Sequence, residues 1–257
     1  MQDHEQSTKT ETAYRLLRRD ILATRLKPAA PMKLSALRES YGIGWTPLRE
    51  ALSRLEAEGL VTAISNRGFA VAPVSREELD DLTRARLAVE MPLLLESIEN
   101  GDSAWESAVV TAHYRLSRCK VSVEHFSESE VDEWDEKHAG FHAALISAAR
   151  SRWLFRFQAT ISDQLRRHHR FLSLAPTMRA ASGMSAGYEE AVAALEDAMA
   201  IEHHTALMEA ALDRDVARAG ALMAEHIGFT VNVYAQSEDG GRAVAPIGPL
   251  TAGLASE

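Results

Sequence analysis

The chain has 257 residues, 46% of them hydrophobic and 25% charged, with a formal net charge of -9 at pH 7. A chain of this length fits two domains, each large enough to bury its own core. No apolar run approaches the roughly 20 residues that a membrane helix needs. Cys119 is the single cysteine, which excludes a disulfide framework, and the polar N-terminus lacks the apolar segment of a signal peptide. We therefore expect a cytoplasmic protein.

The charge is unevenly distributed along the chain. Residues 1–74 contain 11 Lys and Arg against 8 Asp and Glu, a net +3, so the remaining residues carry -12. A weakly basic module on an acidic body can bind nucleic acid through a local patch while the body discourages indiscriminate binding. Chance clustering of charged residues would give the same numbers, so charge alone does not distinguish a nucleic-acid-binding patch from chance.

Three short helices are predicted in the basic region. Apolar residues at helical spacing indicate a first helix from Glu11 to Thr24, ended by the prolines of "LKPAAP". "KLSALRES" indicates a second helix, and "YGIGW" a glycine-containing turn. A third helix follows, with Thr46 as its N-cap and with Thr46, Arg49 and Ser53 on its polar face. Two short helices joined by such a turn match the helix-turn-helix that enters the DNA major groove.

A hairpin is predicted directly after the third helix. In "LVTAISNRGFAVAPV" apolar residues alternate on both sides of "SNRG", which places Arg67 and Gly68 at the tip of a two-stranded wing. The alternative is a three-helix domain in which the hairpin serves packing only.

"TPLREALSRLEAEGLV" followed by "RGFAV" resembles the winged-helix domain of GntR-family transcriptional regulators, over roughly residues 10–74. The DNA-contacting residues that this resemblance implies are Thr46, Arg49, Arg67 and Gly68. Gly44 and Trp45 depart from the family pattern, which most often has Ser or Thr and then Arg there. The resemblance therefore implies an operator that differs accordingly.

The rest of the chain is predicted to be helical. Ser75 and Glu78 form a capping box that opens a helix to about Asn100, and further helices are expected over 103–119, 129–149, 151–174, 186–212 and 215–235. The predicted fold is mainly α: a winged helix-turn-helix followed by an all-α six-helix bundle. The predicted segments are a flexible N-terminus over 1–9, the DNA-binding domain over 10–74, an effector-binding and dimerisation domain over 75–236, and a disordered tail over 237–257.

Four histidines lie on apolar stripes of the predicted bundle. His138 and His142 are four residues apart on one helix face, and His204 and His226 lie in phase on two later helices. Each alone is more typical of a hydrogen-bonded core histidine. Together they predict a divalent transition metal, zinc or nickel, because one ion gives a partner to every buried imidazole. "HAGFH" lacks the glutamate of a zinc-protease helix, which argues against hydrolysis.

"RARLAVE", "FHAAL", "EHHTALMEAALDRDVARA" and "MAEHI" resemble the FCD effector-binding domain of the FadR subfamily of GntR regulators. Many members bind a metal through an Asp-x-x-x-His pair and two later histidines, which here implies His142, His204 and His226. His138 stands in place of the aspartate, and Asp135 is a neighbouring alternative. The stretch "PLREALSRL" is shared with a branch that resembles the CsiR-type repressors.

Two arginines are candidate effector ligands. Arg86 lies on an apolar stripe, where it requires an anion: either Glu90, as a salt bridge, or the carboxylate of a small organic acid, which a guanidinium binds through both oxygens. Small organic acids are what the family resemblance implies. Arg167, in "RRHHR", is predicted to add to the same pocket or to lie on a solvated helix face.

We therefore predict a ligand-responsive DNA-binding regulator that represses catabolic genes. Its predicted partners are a double-stranded DNA operator and a small carboxylic acid. It is predicted to form a homodimer and not to associate with a membrane. One alternative is a regulator for which the metal itself is the signal. The other is a metal-dependent enzyme with a DNA-binding module. Because no nucleophile and base pair stands out, we expect that the chain is not an enzyme.

Overall fold

The computed structural model describes residues 2–64, 68–119, 127–174 and 188–238. Its N-terminal part is a winged helix built from three helices and one antiparallel sheet of strand order β1-β3-β2. The elements are α1 (Gln2–Leu22), β1 (Pro31–Met32), α2 (Leu34–Tyr41), α3 (Trp45–Ala57), β2 (Val61–Ile64) and β3 (Gly68–Val71).

The apolar stripe of α3 anchors this winged helix. Leu48, Leu52 and Leu55 are fully buried against Leu17 and Ile21 of α1, which leaves the opposite, polar face of α3 outward. The turn between α2 and α3 passes through a glycine with a φ of 65°, a left-handed conformation that favours this residue. The second helix of the pair is thereby presented on the surface.

The second part is a helical bundle, as predicted. Its elements are α4 (Arg76–Asn100), α5 (Ser103–Ser117), α6 (Glu128–Leu145), α7 (Arg152–His168), a π-helical segment (His169–Leu174), α8 (Tyr188–Met199), α9 (Ile201–Leu212) and α10 (Val216–Glu238). Leu93, Phe141, Leu207 and Met223 are buried in its core. No helix within the described ranges is both long and apolar enough to span a membrane.

Several predicted boundaries of the winged helix differ from the structure. Helix α1 begins at Gln2 rather than Glu11, so residues predicted as a flexible N-terminus lie in the helix. Strand β1 was not predicted, because two residues carry no alternation pattern. Helix α3 begins one residue before Thr46, and its N-cap is Gly44, with no side-chain cap.

The predicted helices of the bundle also need correction, and the described part contains seven α-helices instead of six. The predicted helix over 186–212 is two helices, because Ala200 adopts an extended ψ of 132°. The predicted helix over 151–174 changes to π-helical geometry at His169. Ser75 does cap α4, accepting a hydrogen bond from the amide of Glu78 at 3.1 Å. Most of the predicted tail, 239–257, lies outside the described residues.

The junction between α4 and α5 makes a sharp test of the packing. A Cβ added at Gly101 would lie 2.5 Å from Cδ2 of Trp105 and 2.7 Å from the carbonyl oxygen of Ser97. We expect Gly101→Ala to lower the free energy of unfolding by about 1–3 kcal/mol through overpacking, measured by urea denaturation. The control is Gly140→Ala in α6, where a Cβ meets nothing within 4 Å, so helix propensity alone predicts equal or higher stability. Equal stability of both variants would contradict this account of the junction.

Candidate functional site

The four predicted histidines converge inside the bundle. One ring nitrogen from each histidine lies within 4.8 Å of those of the other three, and His142, His204 and His226 are buried. Nε2 of His142 lies 2.9 Å from Nε2 of His226 and 3.1 Å from Nε2 of His138. Nε2 of His138 lies 3.4 Å from that of His226. Three helices, α6, α9 and α10, therefore aim their imidazoles at one point.

These separations fit nitrogens that share a metal ion. With a metal–nitrogen bond of about 2.05 Å, two ligands are about 2.9 Å apart at a right angle and about 3.3 Å apart at a tetrahedral angle. The three observed separations cover that interval. A hydrogen bond uses one N–H and one lone pair, so three neutral Nε2 atoms that face one another cannot all satisfy each other. The donor set is thus suited to a divalent transition metal.

His204 has the geometry that orients a ligating imidazole. Its Nδ1 lies 2.9 Å from the carbonyl oxygen of Ala200, and because a carbonyl only accepts, Nδ1 carries the proton. Its Nε2 then presents a lone pair, and this atom is buried without a hydrogen-bond partner among the described residues. A second hydrogen bond of this kind is the usual way in which a protein fixes the tautomer of a metal-bound histidine.

Burial keeps these rings neutral. It lowers the pKa of His204 to about 4, and it lowers the pKa values of His138, His142 and His226 well below the ordinary range, with further lowering by the neighbouring rings and by Arg86. A neutral imidazole has the free lone pair that metal coordination needs. The cluster is therefore in the ligating protonation state at neutral pH.

Arg86 lies close to the histidines but is already paired. Its Nε donates to Oε2 of Glu90 at 3.0 Å, and the two side chains are 9% and 2% exposed. Nε2 of Gln158 donates to the other carboxylate oxygen of Glu90 at 3.3 Å. The salt bridge anticipated as one of two alternatives is thus formed. Binding of an acid by Arg86 would add to this pair or compete with it.

Asp135 does not join the histidines. Its Oδ2 accepts hydrogen bonds from Nε of Arg170 at 2.5 Å and from Nε of Arg166 at 3.2 Å. Arg170, which is 4% exposed, also donates to Asp132 at 2.6 Å. The carboxylate next to the cluster therefore ties α6 to the end of α7 and the π-helical segment, and the candidate metal centre is nitrogen-only.

Arg167 belongs to the junction between the two domains rather than to the effector site, which corrects the sequence prediction. Its guanidinium is 1% exposed and donates to the carbonyl oxygens of Ala72 and Pro73, each at 2.7 Å, and to Oε1 of Gln164 at 2.7 Å. The solvated-face alternative for "RRHHR" is wrong as well, because Arg167, His168 and Arg170 are buried.

The four consecutive residues 167–170, which span the end of α7 and the start of the π-helical segment, therefore have four different surroundings. Arg167 binds the linker, His168 lies 3.1 Å from the carboxylate of Glu78 at the start of α4, and Arg170 binds α6. His169 carries a buried Nε2 without a partner among the described residues, and burial together with Arg86 lowers its pKa to about 3. The change to π-helical geometry at His169 accompanies this spread of directions, and π-helical turns are frequent at functional sites.

The same helix makes further contacts to the winged helix that the sequence did not reveal. Asp163 pairs with Arg18 of α1, and Nε2 of Gln164 donates to the carbonyl oxygen of Glu58 at 3.2 Å. Arg25, after α1, pairs with Asp132 of α6 at 2.8 Å. Such contacts leave no local periodicity in the sequence, since each joins residues more than 100 positions apart.

The predicted DNA-binding residues that the structure describes are all exposed. Thr46, Arg49 and Ser53 lie on α3, and Gly68 begins β3 with a φ of 92°, a conformation that favours glycine. Arg67 lies outside the described residues. Arg54, also on α3, is engaged internally: it pairs with Glu11 at 2.8 Å and lies 3.6 Å from the ring centroid of Tyr14.

A winged helix with a free polar recognition helix, joined to a helical domain with a buried cluster of polar ligands, defines a DNA-binding regulator of transcription. Family comparison agrees with this class: residues 9–71 match the gntR family of bacterial regulatory proteins and residues 81–229 match the FCD domain. The chain belongs to the GntR family of transcriptional regulators and carries an FCD domain. This family consists of regulators and not of enzymes.

Relatives along most of the chain support the same assignment. The HTH-type transcriptional repressor GlaR of Escherichia coli K12 is 34% identical over 227 residues, 88% of this chain and 96% of that protein. The uncharacterized HTH-type transcriptional regulator BphR of Paraburkholderia xenovorans is 32% identical over 226 residues, 88% of this chain and 85% of that protein. The structure of E. coli McbR/YncC has a TM-score of 0.66 at 19% identity, covering 90% of this chain and 99% of that one, which supports the fold.

The buried ion pair beside the histidines gives a test of stability. We expect Arg86→Leu to cost about 3–5 kcal/mol, because it leaves the carboxylate of Glu90 buried and uncompensated. The double variant Arg86→Leu/Glu90→Leu should recover most of that loss, since neither charge then remains. Urea denaturation of both variants measures the difference. A double variant no more stable than the single one would mean that Glu90 has another compensating partner.

Proposed function

We propose that the chain is a repressor of catabolic genes that responds to a small organic acid bound at a divalent metal in its helical domain. The observation that carries this proposal is the convergence of four neutral imidazoles from three helices, three of them buried and that of His138 partly buried. Nothing in ordinary core packing requires such a set, because buried polar groups without partners are costly.

His138, His142, His204 and His226 are the proposed ligands, and zinc or nickel is the proposed metal, since imidazole ligands suit both ions. When bound, the metal would supply a Lewis acid to which a carboxylate oxygen of the acid could coordinate. Arg86 is the proposed second binding group for the acid, since it is close enough to lower the pKa values of the clustered histidines. Its guanidinium would bind the acid beside Glu90 or in exchange for it.

Helix α7 and the π-helical segment are the proposed route from this site to the DNA-binding domain. His169 is close enough to Arg86 for that charge to lower its pKa, and two residues earlier Arg167 donates to the carbonyl oxygens of the linker. A bound acid that shifts His169 would therefore shift the anchor of the linker. This rigid connection supports a response of DNA binding to the ligand.

The proposed operator contacts are Thr46, Arg49, Ser53, Arg67 and Gly68. We further propose that the regulator is a homodimer formed by the helical domain. Exposed apolar residues support this arrangement: Trp153 and Phe157 on α7 are 64% and 51% exposed, with ring centroids 6.2 Å apart. Apolar surface of this kind is typical of interfaces between subunits.

A metal-responsive regulator is the second candidate. The observation in its favour is that Arg86 is already neutralised by Glu90 at 3.0 Å, so the arginine has an anion without any acid. In that case zinc or nickel alone would change the affinity for DNA, and organic acids would have no effect.

The metal site is tested by measuring the metal content of the purified protein. Purified protein without a histidine tag should contain about one zinc or nickel per chain, and His226→Ala should lose most of it. The control is His203→Ala, since His203 pairs with Asp197 at 3.3 Å on the outer side of α9 and should leave the metal content unchanged. Only traces of metal after incubation with zinc and nickel would overturn the site.

The acid is tested on the same preparations by thermal shift against mono- and dicarboxylates. A specific acid should raise the melting temperature of the metal-loaded protein by mass action, and neither chelated protein nor His226→Ala should respond. Stabilisation that survives chelation would instead assign acid binding to Arg86 alone. A DNA affinity that follows metal without any acid would favour the second candidate.

The DNA-binding surface is tested with Arg49→Ala. Loss of a base contact should weaken binding to an operator selected from random DNA by about one to two orders of magnitude, while the circular dichroism spectrum stays unchanged. Arg84→Ala on α4 removes an exposed arginine of the other domain, is the matched loss of charge and should bind normally. Unchanged affinity of Arg49→Ala would remove this residue from the interface.

A further inference from the structure

An aromatic side chain is exposed at the first position of the recognition helix. Trp45 begins α3 and is 46% exposed, although a tryptophan in a folded domain is usually largely buried. The helix behind it is held by fully buried leucines, so the indole is presented on a rigid element. Exposure at this position requires an explanation other than packing of the domain.

The guanidinium of Arg38 lies over this indole. Its central carbon is 5.4 Å from the centroid of the Trp45 ring, within the range of a cation–π interaction. Arg38 is exposed on the preceding helix, α2. No carboxylate of the described residues lies within 4.0 Å of its guanidinium, whereas Arg54 of α3 is held by Glu11 at 2.8 Å. The charge of Arg38 is therefore available to a partner.

The start of α3 adds to this positive site. Gly44 caps the helix without a side-chain hydrogen bond, so the first amide groups of the helix are not satisfied by a cap. Helix N-termini of this kind attract phosphate through their amide groups and dipole. A guanidinium held by an aromatic ring also binds phosphate with less loss of side-chain freedom than a mobile one.

We propose that Arg38 and Trp45 form a composite contact to the DNA backbone: the indole orients the guanidinium, and the guanidinium binds a phosphate next to the N-terminus of α3. Arg49 and Thr46 then face the base edges from the same helix. The pair sets how far α3 enters the groove. This inference depends on operator binding, which the family establishes, and not on the metal or the acid.

The test is a double-mutant cycle on the full chain. The probe is an operator selected from random DNA with the unmodified protein, and affinities are measured by fluorescence anisotropy over a series of salt concentrations. Arg38→Ala and Trp45→Ala should each weaken binding about tenfold, and the double variant should be no more than about twofold weaker than the weaker single variant, because the two side chains act as one unit. Arg38→Ala should also reduce the slope of log affinity against log salt by about one.

Matched variants separate this contact from folding and from general charge. Trp45→Phe keeps an aromatic face and should bind within about threefold of the unmodified protein, and Arg84→Ala on α4 should keep both affinity and salt slope. Melting curves check that each variant is folded, and if Trp45→Ala does not fold, Arg38→Ala and Trp45→Phe decide the matter. The proposal is overturned by an Arg38→Ala variant with normal affinity and slope, by fully additive losses, or by a loss confined to one operator base.

Discussion

The structure depends on the convergence of four uncharged imidazoles, three of them buried, inside a helical bundle. Removing a polar ring from water costs free energy unless its nitrogens find partners. Here three Nε2 atoms face one another at 2.9–3.4 Å, which neutral rings cannot fully satisfy between themselves. These rings therefore lower the stability of the bundle locally, and a divalent metal bound as proposed would offset that loss for all four rings together.

Helices of the bundle also contact the DNA-binding domain, among them α6, which presents two of these rings. Helix α6 carries His138 and His142 at one end and, at the other, Asp132, which pairs with Arg25 of the winged helix. Helix α7 contributes Asp163 to Arg18 and Arg167 to the linker carbonyl groups. These contacts between the domains are directional, and that of Arg167 is made by a buried guanidinium, whereas the side chains of Arg18 and Arg25 are 33% and 36% exposed.

Periodicity predicted the parts of the site that lie on regular helices. His138, His142, His204 and His226 were found from the phase of the apolar stripes, and the structure brings all four together. The polar face of α3 was found in the same way. A sequence pattern describes one element at a time, so it locates the face on which a residue lies but not what that face meets.

The misplaced residue shows this limit. Arg167 was predicted to face the effector pocket, but its partners are carbonyl oxygens nearly 100 positions away. A main-chain acceptor has no sequence signature, so these partners could not be predicted. The π-helical turn was missed for a related reason, because a change of helical pitch shifts every later residue without altering composition. The break before α9 likewise occurs at an alanine, a residue of high helix propensity.

The break between α8 and α9 also determines which ring nitrogen of His204 carries the proton. The acceptor for Nδ1 of His204 is the carbonyl oxygen of Ala200, the residue at which α8 and α9 meet. Every amino acid supplies the same carbonyl group, so no single substitution at position 200 deletes this acceptor. A mutational scan of the chain would therefore reveal the imidazoles but not the carbonyl group that orients one of them. Selection would preserve the bend of the backbone at this position and not the identity of the side chain.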